Sequence, residues 1–312
     1  MPKRWEGYTV NRPSWSEALA EFLLHKRAEG IREETLRGYE RHVKQFFNRY
    51  PRAWEDMSAL RQSAFEWLSE PVKPATYNLR LVYVRAFLKW CREQGYVDDN
   101  PLQKFKRRKA DPRIVELSEE TLRELLQLPD QKTFSGLRDY ALLLLTLDTG
   151  IRPNEAFQLL PEDFDFRTLS VHIRAEVSKT KTLRVLPISP QTAQAVRKLL
   201  KAHHPDWNAK TPVFCTFDGR PLNRYTWNER LNMYSERLGV KIRPYDLRHA
   251  FALLFLRQGG HAFALQRILG HADMSMTKRY VALTQEDLKN IHAVATPLSV
   301  VLKSPHPRRR KL

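Results

Sequence analysis

Cysteine is scarce in this sequence. Cys91 and Cys215 are the only two among 312 residues, and they lie far apart without metal-ligand spacing. That argues against a disulfide framework and against a structural zinc site. Long hydrophobic runs are also lacking. The longest, YALLLLTL at 140–147, falls well short of the roughly 20 apolar residues that cross a bilayer. The opening MPKRWEGYTVNRPSW has no apolar stretch of the signal-peptide kind, so a soluble, cytoplasmic protein is expected. No internal repeat and no dense carboxylate cluster is visible. Acidic residues are the minority, Asp+Glu 35 against Lys+Arg 53, which leaves a net charge of +18 and a sequence pI near 10.0. An excess of that size favours a polyanionic partner, of which nucleic acid is the commonest. Hydrophobic residues reach 42% and include seven Trp, enough for packed cores and against a disordered chain.

A chain of 312 residues exceeds the roughly 250–300 at which one core stops growing, so two domains are expected. Residues 1–99 read as helical. SWSEALAEFLLHKRAEG has Ser14 or Ser16 as N-cap and Leu19, Phe22 and Leu23 on one face. A second helix carries Leu36, Tyr39, Val43 and Phe46 and stops at Pro51, and a third covers 58–69. The fourth starts near Pro74 and ends at Gly95, with Leu81, Val84 and Leu88 in its stripe and Arg80 and Arg85 elsewhere on the surface. Residues 100–114 then change character: Lys104, Lys106, Arg107, Arg108 and Lys109 stand between Pro101 and Pro112 without apolar periodicity. This reads as a basic interdomain linker lying on phosphates. The second domain, 115–292, opens at LSEETLRELL with Ser118 as cap, continues through a buried helix ending at Gly150, and contains the β region. TLSVHIRAEV (168–177) and LRVLPIS (183–189) flank a polar turn and read as a hairpin, with a further short strand possible at 212–217. Helices fill the rest to 292, and 293–312 form a tail.

Four stretches of the second domain hold groups suited to phosphate chemistry. In TGIRPNEAFQL, Arg152 follows a Gly C-cap signal and precedes a proline suited to a first helical position, with Glu155 three residues on to orient it. SKTKTLRVLP puts Lys179 and Lys181 at a hairpin tip. RPYDLRHAFA offers Arg248 with Tyr245 three residues before it. LGHADMSMTKRY holds His271 and, nine residues later, Tyr280. Two guanidiniums can clamp the non-bridging oxygens of a phosphodiester and stabilise charge built up in the transition state. A tyrosine hydroxyl can attack the phosphorus, given cationic neighbours or a base, because its usual pKa is about 10. A hairpin lysine can protonate the leaving 5′ oxygen, and a histidine can donate to a phosphate oxygen or assist proton transfer. The arginines supply the positive charge that a metal ion otherwise would, so no metal or other cofactor is expected. Singly, each residue has an ordinary reading as cap, turn or core. His249 and the His203–His204 pair read as structural or surface groups. It is the set, in this order and at this net charge, that points to a reaction.

In those four stretches residues 115–292 resemble the catalytic domain of the tyrosine recombinases, the phage integrase family. The His271–Tyr280 spacing is the family's, and the hairpin lysine it uses, eight residues before the proline closing the second strand, is Lys179 rather than Lys181. The first hundred residues resemble the family's core-binding domain more weakly, with Thr76, Asn78 and Arg85 matching positions on its DNA-facing helix. One departure stands out: Tyr245 occupies the place of a histidine, which weakens the assignment of a proton acceptor and puts more weight on His271.

The resemblance implies a mainly α fold with a small antiparallel hairpin or sheet in the C-terminal domain, and two domains forming a C-shaped clamp on duplex DNA. It further implies a site-specific recombinase that works through a 3′-phosphotyrosine without metal or ATP, as four protomers on two DNA sites in a bacterial or archaeal cell. The rivals are a type IB topoisomerase-like nicking-closing enzyme and a catalytically silent DNA-binding protein of the same fold.

Overall fold

Ser14 begins the first helix in the computed structural model of this chain, which describes residues 12–109, 116–178 and 181–282, with 292, 296 and 298. Its Oγ accepts the Glu17 N–H at 3.2 Å, and the Glu17 carboxylate accepts the Ser14 N–H at 2.8 Å. This reciprocal cap satisfies two donors that a helix start leaves open. Helix α1 (Trp15–Ala28) buries Ala18, Leu19 and Phe22, and α2 (Glu33–Arg49) buries Leu36, Val43 and Phe46. A 3-10 turn at Pro51–Trp54 leads to α3 (Met57–Ser69) and α4 (Pro74–Glu93). The core among these helices is aromatic. Phe22 meets Phe87 edge-on at 5.6 Å, and Phe46 meets Trp67 edge-on at 6.0 Å, the geometry that the ring quadrupole favours.

Arg80 departs from expectation. It is buried, donating from Nη1 to the Trp67 carbonyl at 3.0 Å and to Glu70 Oε2 at 2.8 Å, with its guanidinium 3.9 Å over the Trp67 ring. Helical periodicity explains this: Arg80 lies three residues after Tyr77 and four before Val84, both buried, so it shares their face.

The chain divides into two units, Met1–Pro112 and Arg113–Leu312. In the second, Ser118 caps α5 (Glu119–Gln127) by accepting the Thr121 N–H at 3.1 Å. Helix α6 (Phe134–Thr149) runs through the core and packs against α8 (Pro190–Lys201) and α10 (Pro244–Arg257). Between α6 and α8 in sequence lie the single turn α7 (Pro153–Ala156) and a three-stranded antiparallel sheet in the order β1 (Phe164–Asp165), β2 (Ser170–Ile173), β3 (Arg184–Pro187). The hairpin register pairs Val171 with Leu186 and Ile173 with Arg184. Its strands are shorter than expected, and β1 is an addition.

The stretch 212–217 is not a strand; it makes one bridge, Cys215 with Pro221. Pro221 has no N–H to extend a ladder. After it come α9 (Arg224–Leu238), then α10, α11 (Ala262–Leu269) and α12 (Met274–Ala282). A buried ion network ties α6 to α9: Asp139 accepts from Arg138 Nη2 at 2.7 Å, Arg230 Nε at 2.5 Å and Tyr234 Oη at 2.7 Å. Among the described residues no helix is long and apolar enough to cross a membrane.

Gly150 closes α6 in the left-handed conformation at φ 61°, and a Cβ there would lie 2.4 Å from Phe251 Cδ1 and 2.7 Å from Leu269 Cδ2. Strain and overpacking therefore add. Gly150→Ala should lower unfolding stability by about 2–4 kcal/mol. Gly239, equally left-handed but with open space around it, should lose only about 1 kcal/mol on the same change. Denaturant midpoints of the two variants compare them directly, and equal losses would show that packing around Gly150 contributes nothing.

Candidate functional site

The left-handed turn at Gly150 carries the chain from the end of α6 through the buried Ile151 to Arg152, the N-cap of α7. Glu155, 2% exposed, fixes that arginine twice: Oε2 accepts the Arg152 N–H at 3.2 Å and Oε1 accepts Nη1 at 3.1 Å. Arg152 Nη2 donates to the Gly270 carbonyl at 2.9 Å. A third arginine, which the sequence reading passed over, shares the same carboxylate. Arg184 on β3 donates from Nη1 to Glu155 Oε1 at 3.2 Å and from Nη2 to Oε2 at short range. Burial alone would raise the Glu155 pKa, but the hydrogen bond from Arg184 and the charges of Arg184, Arg152 and Arg248 hold it below the usual carboxylate range.

Arg248 on α10 is 3% exposed. Its Nη1 donates to the Gly150 carbonyl at 2.5 Å, and Nη2 donates to the Leu269 carbonyl at 2.8 Å and to His271 Nε2 at 3.2 Å. A guanidinium has no lone pair to offer, so His271 Nε2 must accept. The proton of the neutral ring then sits on Nδ1, which donates to Thr277 Oγ1 at 2.9 Å. Burial and the charges of Arg248 and Arg152 push the His271 pKa down to about 4, consistent with that neutral tautomer. Burial, then Arg152, lowers the Arg248 pKa to about 9, which leaves it cationic at pH 7.

Tyr280 is 5% exposed and packs with Phe251, Leu265 and Leu269. Its ring runs parallel to that of His271 with centroids 6.5 Å apart. The hydroxyl bonds elsewhere, 2.7 Å from Nδ1 of His249. Burial raises the Tyr280 pKa against the opposing pull of Arg248, Arg279 and Arg152, so the phenol is protonated in this state. The nine-residue spacing has a structural cause. Thr277 and Tyr280 stand one turn apart on α12, and Thr277, fully buried, grips His271.

The site thus brings together Arg152, Glu155, Arg248, His271 and Tyr280. It leaves out Tyr245, which is 50% exposed. Lys179 lies outside the described residues; the residue before it, Ser178, is buried and accepts from Arg184 Nη1 at 3.5 Å. His249, read from the sequence as structural or surface, is instead half-buried on the nucleophile candidate. One helical residue past Arg248 turns it by about 100° around α10, enough to face α12. Beside these groups opens a cleft of about 880 Å3 lined by Arg184, Arg267, Gly270 and His271 together with Leu183 and Ile268.

In the first unit, Thr76 is exposed on α4. Asn78 and Arg85 hold the basic segment: Asn78 exchanges two 2.8 Å hydrogen bonds with the Arg108 backbone, and Arg85 Nη1 donates to the Phe105 carbonyl at 2.9 Å. Leu102 is buried in that unit's core, and the Arg108 guanidinium lies 3.8 Å over Tyr77. As far as residue 109 the segment is therefore pinned to α4, with Lys104, Lys106, Arg107, Arg108 and Lys109 exposed.

A family model, "Phage integrase family", matches residues 116–287, more than half of the chain. The chain belongs to the phage integrase family. It is 26% identical over 295 residues to the tyrosine recombinase XerC of Thermodesulfovibrio yellowstonii, covering 90% of this chain and 96% of that one. It is 26% identical over 301 residues to the tyrosine recombinase XerD of Pseudomonas aeruginosa, covering 91% and 97%. The fold is similar to that of the XerH site-specific recombinase bound to its palindromic difH substrate, at TM-score 0.69 and 18% identity over 92% of this chain and 85% of that one. The Tn1549 transposon integrase in complex with transposon right end DNA also scores 0.69, at 18% identity over 86% and 94%.

Glu155→Gln leaves two guanidiniums sharing a neutral amide and should cost about 3–5 kcal/mol at pH 7. Because the native pKa is depressed, the wild-type carboxylate contributes fully above its ordinary 4.5 and loses that contribution as pH falls through the lowered native value. The stability gap between wild type and variant should therefore close on the acid side. A gap unchanged between pH 7 and pH 3 in denaturant titrations would rule out the charged carboxylate as its source.

Proposed function

We propose that this chain is a site-specific DNA recombinase in which Tyr280 is the nucleophile and Arg152 and Arg248 clamp the scissile phosphate. The observation that carries this is the charge balance around the tyrosine. Arg152 and Arg184 bond one carboxylate, Glu155, and the buried Arg248 stands close enough to feel its charge, which among the described residues of this cluster leaves an excess of two positive charges. One phosphodiester entering by the adjoining cleft matches that excess, and developing charge on its oxygens is stabilised where water is excluded.

Tyr280 Oη attacks the phosphorus, and the 5′ oxygen leaves as a hydroxyl after taking a proton, the part proposed for Lys179. The enzyme then holds a 3′-phosphotyrosine, which the 5′ hydroxyl of a partner strand attacks in turn. One phosphodiester is exchanged for another, so neither step consumes ATP. His271, with Nε2 on Arg248, orients that guanidinium toward the phosphate. The helical unit supplies a second DNA-binding surface, with Lys104, Lys106, Arg107, Arg108 and Lys109 on the backbone, Thr76 beside them, and Asn78 and Arg85 holding the segment in place. On this reading the two units clamp duplex DNA and four protomers assemble on two sites, in the cytoplasm of a bacterial or archaeal cell. Support for DNA as the partner comes from the net charge of +18 and from structural neighbours solved on DNA.

A suicide DNA substrate should trap a covalent adduct with the wild type. Tyr280→Phe should abolish the adduct while changing DNA affinity by less than about twofold, since it removes a hydroxyl and no charge. Adduct formation by Tyr280→Phe would show the nucleophile to be misassigned. Two labelled sites separate recombination from nicking-closing: relaxation without strand exchange would favour the topoisomerase reading.

Replacing Lys104, Lys106 and Lys109 together by Ala should weaken binding of all sequences alike. The slope of log affinity against log salt should shrink by about one for each phosphate that is no longer neutralised. An unchanged slope would place the DNA elsewhere.

A further inference from the structure

We propose that His249 is the general base for Tyr280, taking the phenolic proton on Nδ1 as the oxygen attacks phosphorus. The inference rests on the reading of Tyr280 as nucleophile and assigns the proton path that this reading leaves open.

Two candidates for the acceptor are unsuited. Tyr245 is half exposed and has no hydrogen bond or ring contact to the cluster among the described residues, and a phenol hydroxyl is a weak acceptor for the proton of another phenol. His271 has its Nε2 lone pair on Arg248 and its Nδ1 proton on Thr277, so both nitrogens are committed. Among the described residues, His249 alone has a ring nitrogen on the reacting oxygen, 2.7 Å from Tyr280 Oη. That is within the reach a base needs.

The surroundings suit the transfer in both directions. Burial, with Arg248 as a smaller contributor, lowers the His249 pKa and keeps the ring neutral and accepting. Asp246, one turn earlier on α10 and buried with its carboxylate on the Arg243 N–H at 2.9 Å, opposes that trend and stabilises the imidazolium once formed. The other charges facing the pair are Arg152 and, from α12, Arg279. They favour the phenolate as it develops.

In the cleavage step the Oη–H bond breaks as its proton passes to Nδ1. The Oη–P bond forms and the P–O5′ bond breaks, the 5′ oxygen taking its proton from the separate acid. In rejoining, the incoming 5′ hydroxyl gives its proton to the conjugate base of that separate acid, the part proposed for Lys179, and the His249 imidazolium returns its proton to the departing phenolate.

The test uses the full chain on a suicide substrate under single-turnover conditions. His249→Asn places an amide at the position of Nδ1 that can still hydrogen-bond the phenol but cannot take its proton. It should lower adduct formation by about 10²-fold with DNA binding unchanged. The wild-type rate should fall on the acid side as His249 becomes protonated. The variant should lack that limb and rise toward alkaline pH as the phenol ionises unaided. Free imidazole should restore part of the rate to His249→Ala.

A His249→Asn enzyme with the wild-type rate and pH profile would overturn the proposal, leaving His249 a positioning residue. Absence of imidazole rescue in a folded, DNA-binding His249→Ala would do the same. Failure of the wild type to form any adduct would instead sink the assignment of Tyr280, so the two outcomes are distinct.

Discussion

A guanidinium taken out of water must find acceptors for its five N–H groups and a counter to its charge. Arg248 solves the first problem with the last carbonyls of two helices, Gly150 at the end of α6 and Leu269 at the end of α11. Arg152 uses the next carbonyl, Gly270. Helix C-termini carry unsatisfied acceptors and the negative end of the macrodipole, so the chain's own helix ends become ligands for its cations. Both ends close on a left-handed glycine, which turns the backbone sharply enough to aim those carbonyls inward. Satisfying this one buried cation joins the C-terminal ends of α6 and α11 to α10.

The second problem, charge, is left further from balance here than in the other buried network of the same unit. There, Asp139 takes two arginines, Arg138 and Arg230, and the Tyr234 hydroxyl, and it ties α6 to α9. Around Glu155 a third arginine, Arg248, stands near the other two without a second carboxylate among the described residues of that cluster. Each further unbalanced ion adds several kcal/mol of desolvation cost, which stability alone does not recover. Excess of one sign in a concave, water-poor place is instead what a charged ligand neutralises, and strongly shifted groups such as His271 gather where function does.

Much of the fold was legible. Ser14 and Ser118 cap the helices assigned to them, Gly150 ends α6, and the hairpin sits where alternating β-branched residues put it. Periodicity read at the level of whole helices was less reliable for single charged residues. Arg80 lies on the buried face, and the basic segment after Asn100, which has no periodic pattern, is held by side-chain hydrogen bonds from α4. Such bonds join residues 20 to 30 positions apart and leave no local signature. In the site, Arg152 and Glu155 were legible as a pair because the carboxylate stands three positions after the cap, with a proline directly following the arginine. Arg184 was not, because its partner is 29 residues away across the hairpin. His249 was hidden for another reason. Adjacent residues on a helix point about 100° apart, so its place beside Arg248 suggested a different, outward face, and only the position of α12 makes that face an inner one.

On the proposed reading of Tyr280 as nucleophile, its hydrogen bond with His249 also bears on how a reactive group can be kept idle. A tyrosine surrounded by arginines would be a standing nucleophile if their charge dominated, yet here burial dominates and the phenol keeps its proton. Activation then cannot come from the resting field alone. It requires a proton acceptor at the oxygen and a phosphorus in line with it, two conditions that coincide when an anion occupies the arginines. The same unbalanced charge that disfavours the empty pocket thus couples binding to chemistry. On that reading the ligand relieves the repulsion between Arg152 and Arg248 and presents the electrophile in one event, so the cost of holding those arginines together is offset at the moment when their charge is used.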